Sequence, residues 1–291
     1  MEGNSVRAIR WFGKGLWWCA CLGLLLHSAA FAAATTLRIG LTPTFLNERH
    51  ALLADWRAYL EQKLGRPVAF VLNDSYQTTM ELLHQQRIQV AWLCDCPHVT
   101  ENPEFLLLAT PLFQGRPFYR SYLIVPASDQ HTRGMLDLKG KVFAFTDPYS
   151  NIGFLSPRYE LKKSGLDPDR FFRRTFLTRS HRKAIEAVAV GLADAASVNS
   201  YIWETVNKMG PALTGRTRVA ARSREFGFPP FVADHSIPKE TFTALQKALL
   251  EMSSDPRGRA VLENMNLDGF VPPQPEIYGP VRDMLRFMQA N

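Results

Sequence analysis

The residues whose types and spacing carry the most chemistry are Cys94-Asp95-Cys96 and His98, directly after the apolar run Val90-Ala91-Trp92-Leu93. Two thiols displayed at a strand end are soft ligands, suited to a thiophilic metal or metalloid rather than to phosphate. They read equally well as buried strand-end packing, since free cysteine is among the most buried residue types. Along an extended strand, residues two apart point the same way with Cβ atoms about 6 to 7 Å apart. A disulfide needs roughly 3.8 Å, so a Cys94–Cys96 bridge requires the strand to bend. A thiol with His98 or His181 would also make a nucleophile and base, but no cysteine-hydrolase signature surrounds them, and no enzyme is expected.

The second constellation is Asp147-Pro148-Tyr149-Ser150-Asn151-Ile152-Gly153, between a predicted strand and a predicted helix. Free backbone N–H groups at such a helix start bind anions without a buried cation. Ser or Asn before a helix is also the ordinary N-cap. His181 stands at the start of the next helical run and reads alone as a surface or capping residue.

Positioning these groups takes alternating strands and helices. Leu37 to Leu41 reads as a strand, Glu48 to Leu64 as an amphipathic helix ended by Gly65, and Pro67 to Leu72 as a strand. Thr78 to Arg87 is a second helix and Val90 to Cys94 a third strand, whose C-terminal end is where ligands bind in open α/β sheets. Tyr119 to Val125 is a long strand and the expected first crossing between two lobes. Strands at 141–145, 172–177 and 195–198 with helices at 154–164 and 182–190 follow. Arg218 to Ala221 is expected to carry the chain back, and helices at 239–252 and 276–289 to pack on lobe one. The alternation predicts an α/β fold with mixed, mostly parallel sheets.

The chain begins with Arg7, Arg10 and Lys14, an apolar stretch from Leu16 to Leu26, and small residues from Ala29 to Ala34. That pattern is a cleavable secretory signal over residues 1–32, with Ala30-Phe31-Ala32 as the cleavage site, and it implies a periplasmic protein. Cys19 and Cys21 lack a lipobox, so no lipid anchor is expected. The formal charge of +7 drops to +5 without the three bases and Glu2 of that segment. A mildly basic chain steers anionic ligands, but without a dense Lys/Arg run it does not read as a nucleic-acid binder. The remaining length suits two discontinuous lobes, 33–120 with 222–291 and 121–221.

The sequence resembles the phosphate, phosphite and phosphonate-binding proteins of ABC transporters, a branch of the two-lobed type II periplasmic binding proteins of Venus-flytrap form. The resemblance rests on Thr42-Pro43, Tyr76, Ala91-Trp92-Leu93-Cys94 with Pro97, and Gly115-Arg116-Pro117 leading to Tyr119 and Ser121. It continues through Asp137-Leu138-Lys139-Gly140-Lys141, the Asp147-Pro148 turn with Gly153 and Pro157, and His181 before Ala187-Val188 and Gly191. It implies a cleft ligand held by Ser150, Asn151, His181, Tyr119, Tyr76 and Thr42, with no cofactor, and an ABC permease as partner.

Two departures stand out. The turn that usually reads Ser-Thr-Ser is here Ser150-Asn151-Ile152, replacing a hydroxyl with an apolar side chain. Cys96 stands where relatives carry a non-thiol residue. In this the chain is similar to an arsenite-binding offshoot of the family that works with a sensor histidine kinase to induce arsenite oxidase. That likeness implies Cys96 as the arsenic ligand and Cys94 as the packing residue. Phosphonate, phosphite or phosphate uptake is the other ligand expectation.

Overall fold

The computed structural model describes residues 35–42, 49–73, 75–101 and 104–290. The expected signal over 1–32 and the Pro43 of the family motif lie outside the described residues. Strand β1 (Leu37–Leu41) buries Leu37, Ile39 and Leu41 and pairs in parallel with β2 (Val68–Leu72) on one side and β3 (Val90–Trp92) on the other. Parallel neighbours need a crossover of about a dozen residues or more. Helices α1 (His50–Leu64) and α2 (Tyr76–His84) supply it. Gly65 ends α1 in the left-handed region at φ +62°, its N–H closing on Glu61 O, a conformation that costs a Cβ-bearing residue. Helix α1 buries Trp56, Tyr59 and Leu60, with Tyr59 donating its hydroxyl proton to Ala248 O at 2.7 Å.

After the short α3 (Asp95–Thr100), β4 (Phe105–Leu112) adds to this sheet, and β10 (Phe231–Asp234) and β11 (Gly269–Val271) return later in the chain, giving the order β11-β4-β10-β3-β1-β2. A second sheet, β7-β6-β8-β5-β9, is made by β5 (Phe118–Pro126), β6 (Val142–Phe145), β7 (Arg174–Leu177), β8 (Ala195–Asn199) and β9 (Thr217–Gly227).

Both sheets are mixed. Parallel pairing is confined to β2-β1-β3 and β7-β6-β8, and every pairing made by β10, β11, β5 and β9 is antiparallel. The share of parallel pairing is therefore lower than the strand-helix alternation predicts, because the segments returning between sheets enter reversed. The chain passes from one sheet to the other at 113–117 and 228–230. Phe118–Arg120 and Arg222–Gly227, expected in lobe one, are strand residues of the second sheet.

Helices α4 (Ser156–Lys163), α5 (Pro168–Phe171), α6 (His181–Ala189) and α7 (Ser200–Met209) belong to the second-sheet segment, and α8 (Lys239–Leu250) and α9 (Pro256–Met265) pack on α1. Helix α10 (Gly279–Ala290), expected on lobe one, touches α3 of the first-sheet segment and also α4 of the second, where Tyr159 and Phe287 meet edge to face at 5.1 Å. Its apolar side chains have partners on both sides, so it spans the two segments.

One hydrophobic cluster runs without a break from the first sheet into the second. Its bridge is aromatic: Tyr201 of α7 lies 6.2 Å from Trp92, 5.3 Å from Phe113 and 5.2 Å from Phe228, and Tyr119 lies 5.8 Å from Phe228. The two sheets thus share one continuous apolar core.

Candidate functional site

Strand β3 stops at Trp92, and Cys94 becomes the N-cap of α3 with Asp95 and Cys96 in its first turn. The extended geometry expected for Cys94 and Cys96 is thereby replaced. Residues two apart face the same way on a strand and nearly opposite ways on a helix. Cys94 lines the cavity between the sheets, whereas the Cys96 side chain is built into the apolar core. Both are free thiols. The structure does not bring Cys96, the expected arsenic ligand, to this cavity.

Asp95 has no exposed surface and carries the densest polar contacts of the site. Its Oδ1 accepts from the Tyr119 hydroxyl at 2.8 Å, the Cys96 N–H at 3.0 Å and the Cys94 thiol at 3.1 Å, and its Oδ2 accepts from Asn151 Nδ2 at 2.7 Å. Asn151 and Tyr119 come from the second-sheet segment, so this carboxylate ties the two sheets together. Burial pushes its pKa up to about 6, held from rising further by the donated bonds. Burial, and then the charges of Asp95 and Cys96, push the Cys94 thiol well up, against partial relief from the N–H groups of Asn151 and Cys96. Cys96 is raised by burial and by Asp95. Neither thiol is a ready thiolate.

The turn after β6 forms as expected and then departs from it, because the chain winds first into a π-helical turn, Asn151–Leu155, that continues into α4. Ser150 caps this turn, its Oγ accepting from the Gly153 N–H at 3.0 Å, and so its hydroxyl serves the backbone. Gly153 is required by a close approach: a Cβ there would stand 1.8 Å from Thr146 Oγ1. Asp147 is buried, with Oδ1 accepting from the Tyr149 N–H at 2.9 Å while Oδ2 has no partner. The Tyr76 backbone N–H approaches this carboxylate from the first-sheet side without closing a bond of ordinary geometry to Oδ2, and burial outweighs it to raise the Asp147 pKa.

His181 opens α6 as a buried side chain. Its Nδ1 accepts from the Asn199 N–H at 3.2 Å, which places the neutral ring's proton on Nε2. Burial holds its pKa down to about 4. Thr42 donates its hydroxyl proton to Trp92 O at 3.1 Å.

Thr42, Tyr76, Trp92, Cys94, His181 and Asn199 line one cavity of about 20 Å³, room for about one water. Of the residues read from sequence, Thr42, Tyr76, Cys94 and His181 meet at this cavity, Tyr119 and Asn151 meet at Asp95 beside it, and Ser150 stands behind as a cap. The sequence reading missed the roles of Asp95, Asp147 and Asn199. An acidic residue inside an otherwise apolar run, Trp92-Leu93-Cys94-Asp95-Cys96-Pro97, was the available signal for the first.

Outside the cleft, His84, Glu101 and Glu104 are the metal-spaced grouping among the described residues, with His84 Nε2 2.9 Å from Glu104 and 3.3 Å from Glu101. This is a surface cluster of polar side chains, with Glu101 partly buried. A larger recess of about 240 Å³ at β5 and β9 is lined by Arg116, Arg120 and Arg222, where Glu225 pairs with Arg116 at 2.7 Å and Arg120 at 3.1 Å.

Two mixed α/β sheets, joined by two crossing segments and with a small cavity between them, define a two-lobed α/β protein of the solute-binding type. The model of the family "ABC transporter, phosphonate, periplasmic substrate-binding protein" matches residues 39–278, and the chain belongs to that family. The phosphate-import protein PhnD of Mycolicibacterium smegmatis is 25% identical over 200 residues, which span 64% of this chain and 62% of that relative. Among solved structures, a binding protein component of an ABC phosphonate transporter from Pseudomonas aeruginosa superposes with TM-score 0.80 at 20% identity, covering 88% of this chain and 87% of that one. PhnD1 from Prochlorococcus marinus, in complex with methylphosphonate, superposes with TM-score 0.77 at 18% identity over 87% and 98%. The chain thus spans less than two thirds of the length of the curated relative it matches.

Proposed function

We propose that this chain is the periplasmic substrate-binding subunit of an ABC importer for a small phosphorus oxyacid: phosphonate, phosphite or phosphate. The observation that carries the reading is the cross-sheet contact of Asn151 and Tyr119 with an oxyanion, here the Asp95 carboxylate, at 2.7 and 2.8 Å. Groups that hold a carboxylate at those distances are the groups that hold a phosphorus oxyacid. His181 Nε2–H and the Tyr76 hydroxyl complete the donors, and Ser150 keeps the turn's N–H groups in register. Ligand binding favours closure to the extent that it bridges the two sheets. Secretion through a cleavable signal over 1–32 is part of this reading.

A second reading is arsenite sensing, with a sensor histidine kinase reading the closed form. The observation that favours it is the Cys94 thiol on the cavity wall beside His181. Calorimetric titration of the reduced mature protein with methylphosphonate, phosphite, phosphate and arsenite separates the two. Binding of a phosphorus oxyacid supports the importer. Binding of arsenite alone, abolished by Cys94→Ser, overturns it in favour of the sensor.

A further inference from the structure

We infer that the recess where β5 and β9 pair is a second ligand site, separate from the cleft, for a compact organic dicarboxylate. The inference is independent of which ligand the cleft takes.

The recess is built by a break in the strand pairing. Arg120 of β5 stands opposite Glu225 of β9, and Tyr122 stands opposite Arg222, so Ser223 and Arg224 together face the single residue Ser121. Residues three apart on a regular strand point to opposite faces. This bulge turns Arg222 and Glu225 to the same side, where both line the recess with Arg116 and Arg120. It is fixed from the partner strand: the Ser121 N–H donates to Ser223 Oγ at 2.8 Å, and Arg120 donates to the Ser223 carbonyl at 2.6 Å. Bulges of this kind re-aim side chains next to functional sites.

The charges on that side do not balance. Glu225 accepts from both terminal nitrogens of Arg116, at 2.7 and 2.8 Å, and from Arg120 at 3.1 Å. Arg222 stacks on the Tyr122 ring at 5.1 Å and makes no ion pair among the described residues. Glu204 takes the Tyr122 hydroxyl proton at 2.9 Å and does not line the recess. Three guanidiniums therefore face one carboxylate. Each guanidinium carries five N–H donors, of which Arg116 and Arg120 spend two apiece. The donors left over suit an anion of two charges, and Glu225 already shows the bidentate geometry that a carboxylate adopts on Arg116.

The remaining wall fits an organic body. Phe113 and Phe118 supply apolar surface, with the Arg116 guanidinium over the Phe118 ring at 5.2 Å. Ser200, only 4% exposed, accepts the Arg120 N–H at 3.0 Å, and its own proton is committed to no acceptor among the described residues. The volume of about 240 Å³ takes a molecule of roughly ten heavy atoms, whereas the cavity beside Cys94 and His181 takes about one water.

The rim is a strained turn. Gln114 and Gly115 have φ of +53° and +73°, and Phe113 and Arg116 exchange backbone hydrogen bonds across them. Left-handed backbone at a residue other than glycine is costly and clusters at ligand sites. Gln114 itself lines the recess.

The test is calorimetric titration of the mature protein with phthalate and with benzoate, the same ring with one carboxylate fewer, at low ionic strength where exposed charges are least screened. It is repeated with Arg222→Gln and His181→Asn. Phthalate is expected to bind at one site, about tenfold or more tighter than benzoate, and Arg222→Gln to weaken it about tenfold to a hundredfold, the loss of a hydrogen bond to a charged group. His181→Asn is expected to leave phthalate affinity unchanged. No phthalate binding, equal binding of benzoate, or unchanged phthalate affinity in Arg222→Gln overturns the inference. Loss of phthalate binding in His181→Asn with retention in Arg222→Gln puts the ligand in the cleft and overturns it as well. Arg222 is exposed on the edge strand β9, so its variant should fold, and Arg116→Gln takes its place if it does not. If His181→Asn does not fold, the arginine variants decide. Each overturning result leaves the importer reading untouched, because none of these arginines lines the cleft cavity.

Discussion

Asn151 Nδ2 donates to Asp95 Oδ2 at 2.7 Å across the line where the two sheets meet. The two residues are 56 apart in sequence and both fully buried. One contributes a carboxylate from the start of α3, the other an amide from the turn before α4. The two sheets are therefore tied by a bond whose acceptor is an ionisable group that burial raises to about 6.

Asp95 and His181 should oppose each other in the pH dependence of stability. Asp95 is raised to about 6 from an ordinary value of about 3.9, so its contribution is complete below about pH 4 and is lost as pH rises through 6. His181 is lowered to about 4 from about 6.5, so its contribution is complete above about pH 6.5 and is lost as pH falls. Chemical denaturation across pH 4 to 6.5 should show the wild type losing about 3 kcal/mol relative to Asp95→Asn as pH rises, and gaining about 3 kcal/mol relative to His181→Asn. Parallel slopes for the two variants would contradict the assignment.

The two cysteines should separate in their effects. Cys96→Ser puts a hydroxyl into an apolar core and is expected to cost about 1 to 3 kcal/mol with ligand affinity unchanged. Cys94→Ser keeps a donor to Asp95, so stability and phosphorus-oxyacid binding should hold while any arsenite binding disappears. Thermal unfolding and calorimetry on both variants check this, and loss of ligand binding in Cys96→Ser alone would reverse the roles.

Gly153→Ala should destabilise by about 1 to 3 kcal/mol, the range of an overpacked core, since its Cβ would overlap Thr146 Oγ1 at 1.8 Å. Thr146→Gly removes the obstacle. The double variant should regain stability relative to Gly153→Ala, measured by denaturant midpoint, and additive losses would show that the crowding lies elsewhere.

Tyr119→Phe removes one of the four donors to Asp95 at 2.8 Å. The expected outcome is a loss of about 1 to 2 kcal/mol at pH 7 and a further rise in the Asp95 pKa, since a bond to the charged form is gone. Titration of the carboxyl by NMR would register the rise, and an unchanged or lower pKa would mean that the phenol does not stabilise the ionised form.

Much of the architecture was legible from residue pattern. The spacing of Leu52, Leu53, Trp56, Tyr59 and Leu60 ahead of Gly65 determined α1 and its stop, because apolar periodicity and a left-handed glycine are local signals. The β-branched and aromatic runs at β1, β3, β5 and β6 were equally local. Strand direction was not, because whether β10 enters a sheet parallel or reversed depends on where the preceding residues have gone, and so the balance of parallel and antiparallel pairing required the structure.

The site divides along the same line. The family resemblance in the sequence pointed to Thr42, Tyr76, Tyr119, Ser150, Asn151 and His181, and to Cys96 ahead of Cys94, as the cleft residues. Only the tertiary structure decided which of two adjacent thiols faces that cleft, since a strand continued by two residues would have displayed both and a helix begun at Asp95 turns Cys96 into the core. It also decided that Asp95 lies between the sheets. The partners of a buried carboxylate come from residues 24 and 56 positions away, and no local pattern encodes a distance that only the folded chain makes short.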